Sequence, residues 1–147
     1  MKRYKFSLEK VLKYRGHLQK KEQDALARLH AELNSLLDEE KELVSRYENA
    51  KREYERLSAA GMRVIDTAVM LNHIESIRKQ IVLQKAKISE KGLEIENQTK
   101  ILVAVTREKR TVEKLRDKKL EIYRNEKSKK EEKFIEDFIA NRKSIAI

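Results

Sequence analysis

Isoleucine recurs every seven residues in the second half of this chain, at Ile74, Ile81, Ile88 and Ile95, and Leu102 takes the next slot. A companion row carries Met70, Ile77, Val105 and Val112, and shares its slots with Gln84, Lys91 and Gln98. Steps that alternate three and four put side chains on one stripe of an α-helix, and a stripe that narrow is the seam where one helix meets another. Beyond Leu102 the first row turns to Lys109 and Arg116 and becomes apolar-bodied again at Tyr123. The first half repeats the pattern with Leu8, Val11, Leu18, Ala25 and Leu29, where Arg15 and Glu22 fill the polar slots. It continues through Leu33, Leu36, Leu43, Tyr47, Ala50, Tyr54 and Leu57, with Glu40 in the gap. The two consecutive steps of four from Ala25 to Leu29 to Leu33 read as a stutter, which locally unwinds a supercoil.

Two seams in one chain need one turn between them, and the chain has few residues that make turns. It holds no Pro and only three Gly. Ser58 and Gly61 form the one mid-chain cluster of helix-ending residues, within "LSAAGMRVIDTA". Gly61 suits the left-handed closure of a helix, and Asp66 or Thr67 suits the cap of the next. Gly16 and Gly92 fall inside helical pattern, where each costs about 1 kcal/mol against Ala. The predicted fold is therefore all-α: one coiled-coil domain over 1–147, an antiparallel two-helix hairpin. Helix 1 covers about 4–58, the turn about 59–66, and a longer helix 2 about 67–143. Folding near Gly61 pairs positions whose numbers sum to roughly 123, so Leu36 meets the level of Ile88 and Leu18 that of Val105. Helix 1 runs out near the level of residue 120. About 25 residues of helix 2 then lie beyond it, roughly 40 Å at 1.5 Å per residue. On this reading Ile122, Tyr123, Phe134 and Phe138 lack an intramolecular partner, and a bare helix is marginal in water.

Charge and chemistry narrow the function classes. Charged residues make up 41% of the chain and the net charge is +10, but acids are interleaved with bases throughout. In "TREKRTVEKLRDKK", residues 106–119, seven of fourteen residues are basic and three acidic. Phosphate binding needs only such bases, yet Glu108, Glu113, Asp117 and Glu121 would repel a backbone, and Tyr123 is the sole aromatic available there for stacking. A solvated helix face accounts for the run better. Opposite charges four apart, such as Glu9–Lys13, Asp24–Arg28, Glu42–Arg46, Glu48–Arg52, Glu75–Lys79 and Glu126–Lys130, support that face. His17, His30 and His73 lie far apart without metal-ligand spacing. With no Cys and no phosphate-binding glycine loop, neither catalysis nor a cofactor is expected. No apolar run approaches the roughly 18 residues of a membrane span, and "MKRYKFSLEK" lacks the apolar segment of a secretory signal. The absence of Cys fits a reducing cytoplasm. Ile122, Phe134, Ile135, Phe138 and Ile139 read as a protein contact, since interleaved acids disfavour a lipid surface.

Both ends of the chain carry a more specific pattern. "KFSLEKVLKYRGHLQKKEQDALARL" resembles the N-terminal signature of the FliJ family through Phe6, Leu8, Val11, Leu12 and Arg15. "AVTREKRTVEKLRDKKLEIYRNEKSKKEEKFIEDF" resembles its C-terminal signature through Ala104, Lys109, Glu113, Lys114, Leu115 and Tyr123, and departs from it at Glu136-Asp137, where the family order is Asp-Glu. The resemblance implies a non-enzymatic stalk of the bacterial flagellar type III export apparatus, cytoplasmic and peripheral at the inner membrane. Its implied partners are the export ATPase hexamer, the membrane export gate and the export chaperones, with no nucleic acid and a monomer when alone. It implies gate binding at the hairpin tip, through Tyr47, Tyr54, Met70, His73 and Ile74. It implies ATPase binding at the terminal end, through Phe6, Leu8, Arg15, Arg116, Lys119, Tyr123, Phe134 and Phe138. The stalk protein of injectisomes and a generic coiled-coil adaptor are the alternatives, with a basic nucleic-acid-binding coiled coil behind them.

Overall fold

A computed structural model describes residues 3–146, and the side chains of residues 3–143. The chain is an all-α, antiparallel two-helix hairpin: α1 spans Glu9–Ala60, 52 residues, and α2 spans Val64–Ala146, 83 residues. It packs as two compact units, Met1–Lys21 with Leu102–Ile147 (unit 1), and Glu22–Ile101 (unit 2).

The seam residues lie where the spacing puts them. In unit 2, Leu29, Leu33, Leu36, Leu43, Tyr47, Tyr54 and Leu57 of α1 are half-buried, as are Met70, Ile74, Ile81, Ile88 and Ile95 of α2. Ile77, 2% exposed, is the most enclosed apolar side chain among the described residues. Two helices without a third layer cannot cover each other fully, which is why most seam residues stop at half-burial. Cross-helix pairs confirm the register: Lys91–Glu32 and Gln84–Glu39 in unit 2, and Arg15–Glu108 in unit 1, each have residue numbers summing to 123.

Three boundary and register expectations are corrected. The α1 helix starts at Glu9 rather than near residue 4, because the segment carrying Tyr4 and Phe6 leaves the helix to pack, and Phe6 is buried. At the first seam slot Leu12 is enclosed, 7% exposed, while Val11 is 39% exposed. The α2 helix starts at Val64, so Asp66 lies inside its first turn and pairs with Arg63 at 3.0 Å instead of capping from outside. A carboxylate there meets the positive end of the helix dipole. Thr67 likewise is already helical, and its hydroxyl donates to the Arg63 carbonyl at 3.1 Å.

The polar slots of the α2 seam are each answered from α1. Gln84, buried, donates through Nε2 to the Leu36 carbonyl at 2.9 Å and to Glu39 at 3.0 Å. Lys91 reaches Glu32 at 2.8 Å and Glu94 at 2.9 Å. These two carboxylates hold its ammonium above the ordinary lysine value, Glu32 first. Gln98 donates to the Glu22 carbonyl at 3.2 Å and to its carboxylate. The bonds Gln84 to Leu36 and Gln98 to Glu22 are spaced fourteen residues apart on both helices, so the stutter between Ala25 and Leu33 leaves the register unchanged. Along the outer faces Glu75 pairs with Arg78 at 2.6 Å, three residues on, rather than with Lys79.

Gly61 closes α1 with φ 96° and donates to the Ser58 carbonyl at 3.2 Å. A Cβ there would meet no atom within 4 Å, so the conformation alone, and not crowding, strains any other residue. Gly16 and Gly92 also have open space at the Cβ position, but with helical backbone. Gly61→Ala is therefore expected to destabilise the fold by about 1 kcal/mol or more. Gly16→Ala and Gly92→Ala are each expected to stabilise it by up to about 1 kcal/mol. Thermal melts of the three variants check this, and equal shifts for all three would refute the assignment of the turn.

Candidate interaction surfaces

The tip belongs to unit 2. Of the residues expected to bind there, Tyr47, Tyr54, Met70 and Ile74 are half-buried in the seam, and His73 is exposed. Lys51 places its ammonium 5.4 Å from the Tyr47 ring centroid, a cation–π distance. Glu53 is held below the usual carboxylate range by its hydrogen bond from Arg56. The outward surface is a different set. Val64 is 86% exposed and Ile65 75%, and Val69 and Leu71 join them. A shallow groove beside them is lined by Leu57, Gly61, Met62, Arg63, Val69 and Met70. Tyr47, Tyr54, Met70 and Ile74 lie on the seam rows of the sequence, and the family resemblance alone pointed to them as a gate-binding surface. The signal for the outward set is the complement of the seam: large apolar residues just after the turn that fall on no seam row.

The terminal end belongs to unit 1. Here Phe6 is buried and Leu8 half-buried, so both serve the fold. Arg15 pairs with Glu108 across the helices, and Gln19 bridges Thr106 at 3.2 Å and Lys109 at 2.9 Å. Tyr123 is not left alone, as expected above, but stacks on Tyr4 with ring centroids 5.3 Å apart and planes tilted by 45°. The Tyr4 hydroxyl also lies 3.4 Å from the Arg116 carbonyl, which it donates to. Arg116 stands beside Asp117 at 3.9 Å, and Lys119 is exposed. Beyond Tyr123 every residue from Arg124 to Lys143 is exposed, including Phe134 at 72% and Phe138 at 57%. The expectation of an uncovered helix end thus fails for Tyr123 and holds for Ile122, which is 49% exposed, and for Phe134 and Phe138.

Folding also redistributes charge in a way the linear sequence conceals. Unit 1 carries 22 basic and 10 acidic groups, net +12, whereas unit 2 carries 13 and 15, net −2. Segments from the two ends of the chain, each basic, combine in one unit. Arg107, Arg110, Lys114 and Lys118 line one exposed face of α2 there. Among the described residues no group of His, Asp or Glu is arranged to hold a metal, and no helix is long and apolar enough to cross a membrane. His17 and His30 are exposed, as His73 is.

No curated protein and no solved structure matches the chain. A family model described as "Flagellar FliJ protein" matches residues 4–144, and so takes in both helices, the turn between them and both candidate surfaces. The chain therefore belongs to the FliJ family of flagellar export-associated proteins.

Proposed function

We propose that this protein is a non-enzymatic stalk of the flagellar export apparatus. It inserts its terminal end into the export ATPase hexamer, promotes the assembly and activity of that ring, meets the export gate with its hairpin tip, and escorts export chaperones at the cytoplasmic face of the membrane. Family membership supports the setting, and the observation that carries the assignment of ends is the charge of unit 1, net +12, beside a helix end whose Phe134 and Phe138 are uncovered. A basic stalk steers toward acidic walls of a protein ring, and such charge complementarity sets orientation and encounter rate more than tightness. Phe6, Leu8 and Arg15 hold that end together, while Lys119, Phe134 and Phe138 make the contact. Arg116 and Tyr123 lie at its edge. At the tip, Val64, Ile65 and Val69 present the apolar contact to the gate with His73, and Tyr47, Tyr54, Met70 and Ile74 support it from the seam.

The direct test adds the purified chain to the purified export ATPase. Saturating protein is expected to raise the rate of hydrolysis and the hexamer fraction, because a ligand that prefers the ring to its free subunits shifts assembly by mass action. An unchanged rate and an unchanged oligomer distribution would remove the stalk reading. Salt-dependent binding to labelled DNA or RNA at physiological ionic strength would favour the nucleic-acid alternative instead.

A further inference from the structure

The uncovered end of α2 carries a pattern that contacts with the export machinery do not require. Residues 124–130 contain Arg124, Lys127, Lys129 and Lys130 against Glu126, net +3. Residues 131–137 contain Glu131, Glu132, Glu136 and Asp137 against Lys133, net −3. All of these side chains are exposed. The seam of α2 runs on into this stretch at steps of three and four, from Arg116 through Leu120, Tyr123, Lys127 and Lys130 to Phe134 and Phe138. On that face the first half is cationic, with Arg124, Lys127 and Lys130, and the second half is aromatic and acidic, with Glu131, Phe134, Asp137 and Phe138. A shallow groove follows the junction, lined by Lys127, Lys130, Glu131, Phe134 and Ile135.

We propose that this stretch pairs with the same stretch of a second copy of the chain, antiparallel, about a two-fold axis close to Lys130 and Glu131. An isologous contact requires that if one residue meets another across the axis, the second also meets the first. The pattern satisfies that condition. The cationic half of each copy lies against the acidic and aromatic half of the other, so Lys127 and Lys130 face Glu131 and Phe134, and Arg124 faces Asp137. Ammonium groups are attracted both to carboxylates and to aromatic faces. Phe138 of each copy arrives beside the Tyr4–Tyr123 pair of the other and extends that aromatic contact.

The net charge of unit 1 selects this direction over a parallel one. Parallel pairing sets Lys127 and Lys130 against themselves and brings the basic remainder of both copies side by side. Antiparallel pairing holds the two hairpin parts of that remainder, residues up to Tyr123, at opposite ends of the paired stretch. From residue 123 to 138 that stretch spans about 24 Å at 1.5 Å per residue, roughly three screening lengths of about 8 Å at physiological salt. The contact is small, below the roughly 1,200 Å² of a stable interface, so the pair is weak and reversible. It covers Phe134 and Phe138, and so differs from the solitary monomer expected from the sequence by holding that surface closed at high concentration.

Sedimentation equilibrium of the full chain tests the proposal. The average mass is expected to rise above the 17.4 kDa of one chain with increasing concentration, up to about 1 mM. Arg124→Glu with Lys130→Glu should weaken association at least tenfold, and so should Glu131→Lys with Asp137→Lys. All four changes in one chain should restore it to within threefold, since Arg124→Glu then faces Asp137→Lys, Lys130→Glu faces Glu131→Lys, and Lys127 still faces Phe134. These positions are exposed, so circular dichroism should report unchanged helicity in every variant. A mass of one chain up to 1 mM overturns the proposal. So does a four-fold variant that stays monomeric while its helicity is kept. A chain that is monomeric throughout, but loses ATPase binding with Arg124→Glu and Lys130→Glu, would assign the face to that partner and not to a second copy.

Discussion

Ending the chain after Tyr123 is expected to lower its affinity for the export ATPase by about a hundredfold or more, close to 3 kcal/mol or above, while leaving the hairpin folded. The truncation keeps the Tyr4–Tyr123 stack, buried Phe6 and Leu12, and the Arg15–Glu108 pair. Everything it removes up to Lys143 is exposed, so little packing is lost and the melting temperature should move by no more than a few degrees, roughly the effect of 1 kcal/mol in a domain of this size. Uncovered Phe134 and Phe138 are where a partner gains most, because aromatic anchors dominate interface energetics. Titration of the ATPase with both chains, alongside thermal melts, separates the two effects. Binding retained within about threefold would place the ATPase contact elsewhere. A large fall in melting temperature would mean that residues 124–143 are part of the fold.

The largest expected effect on stability comes from Ile77. At 2% exposure it is the most enclosed apolar side chain described, on the seam row that continues to Gln84. Ile77→Ala should cost about 2–5 kcal/mol through lost burial and the cavity left behind, a fall in melting temperature on the order of 10 °C. Val69→Ala, eight residues earlier but on the outer face, should change stability by less than about 0.5 kcal/mol. Combined with Ile65→Ala it should nevertheless weaken gate binding. Comparable melting shifts for Ile77→Ala and Val69→Ala would show that the inner and outer faces of α2 have been exchanged. Loss of ATPase stimulation from Ile65→Ala with Val69→Ala, with gate binding intact, would show that the two functional ends have been exchanged.

Both predictions depend on an inside and an outside that were legible in the sequence to different degrees. The regular part was fully legible. A seam of alternating three- and four-residue steps reports helix geometry directly, because side chains seven residues apart return to nearly the same side. With one turn-forming glycine between two seams, the antiparallel register followed, and the cross-helix pairs summing to 123 agree with it. Even the polar slots at Gln84, Lys91 and Gln98 were visible as interruptions, though their partners were not.

What the tertiary structure decided lies where the period stops. At the N-terminus periodicity extended the helix to residue 4 and chose Val11. The fold instead ends the helix at Glu9, buries Phe6 and Leu12, and sets Tyr4 against Tyr123, 119 positions away. At the tip the period assigned Tyr47, Tyr54, Met70 and Ile74 to the seam, which half-buries them, while the exposed apolar surface fell to Val64, Ile65 and Val69, which lie on no seam row. The collected charge of unit 1 likewise required the two ends of the chain to meet. Periodicity is a local property, set by the rise and rotation of one helix. End conformation, side-chain stacking and summed charge are set by residues far apart in sequence, and those acquire values only when the chain has folded back on itself.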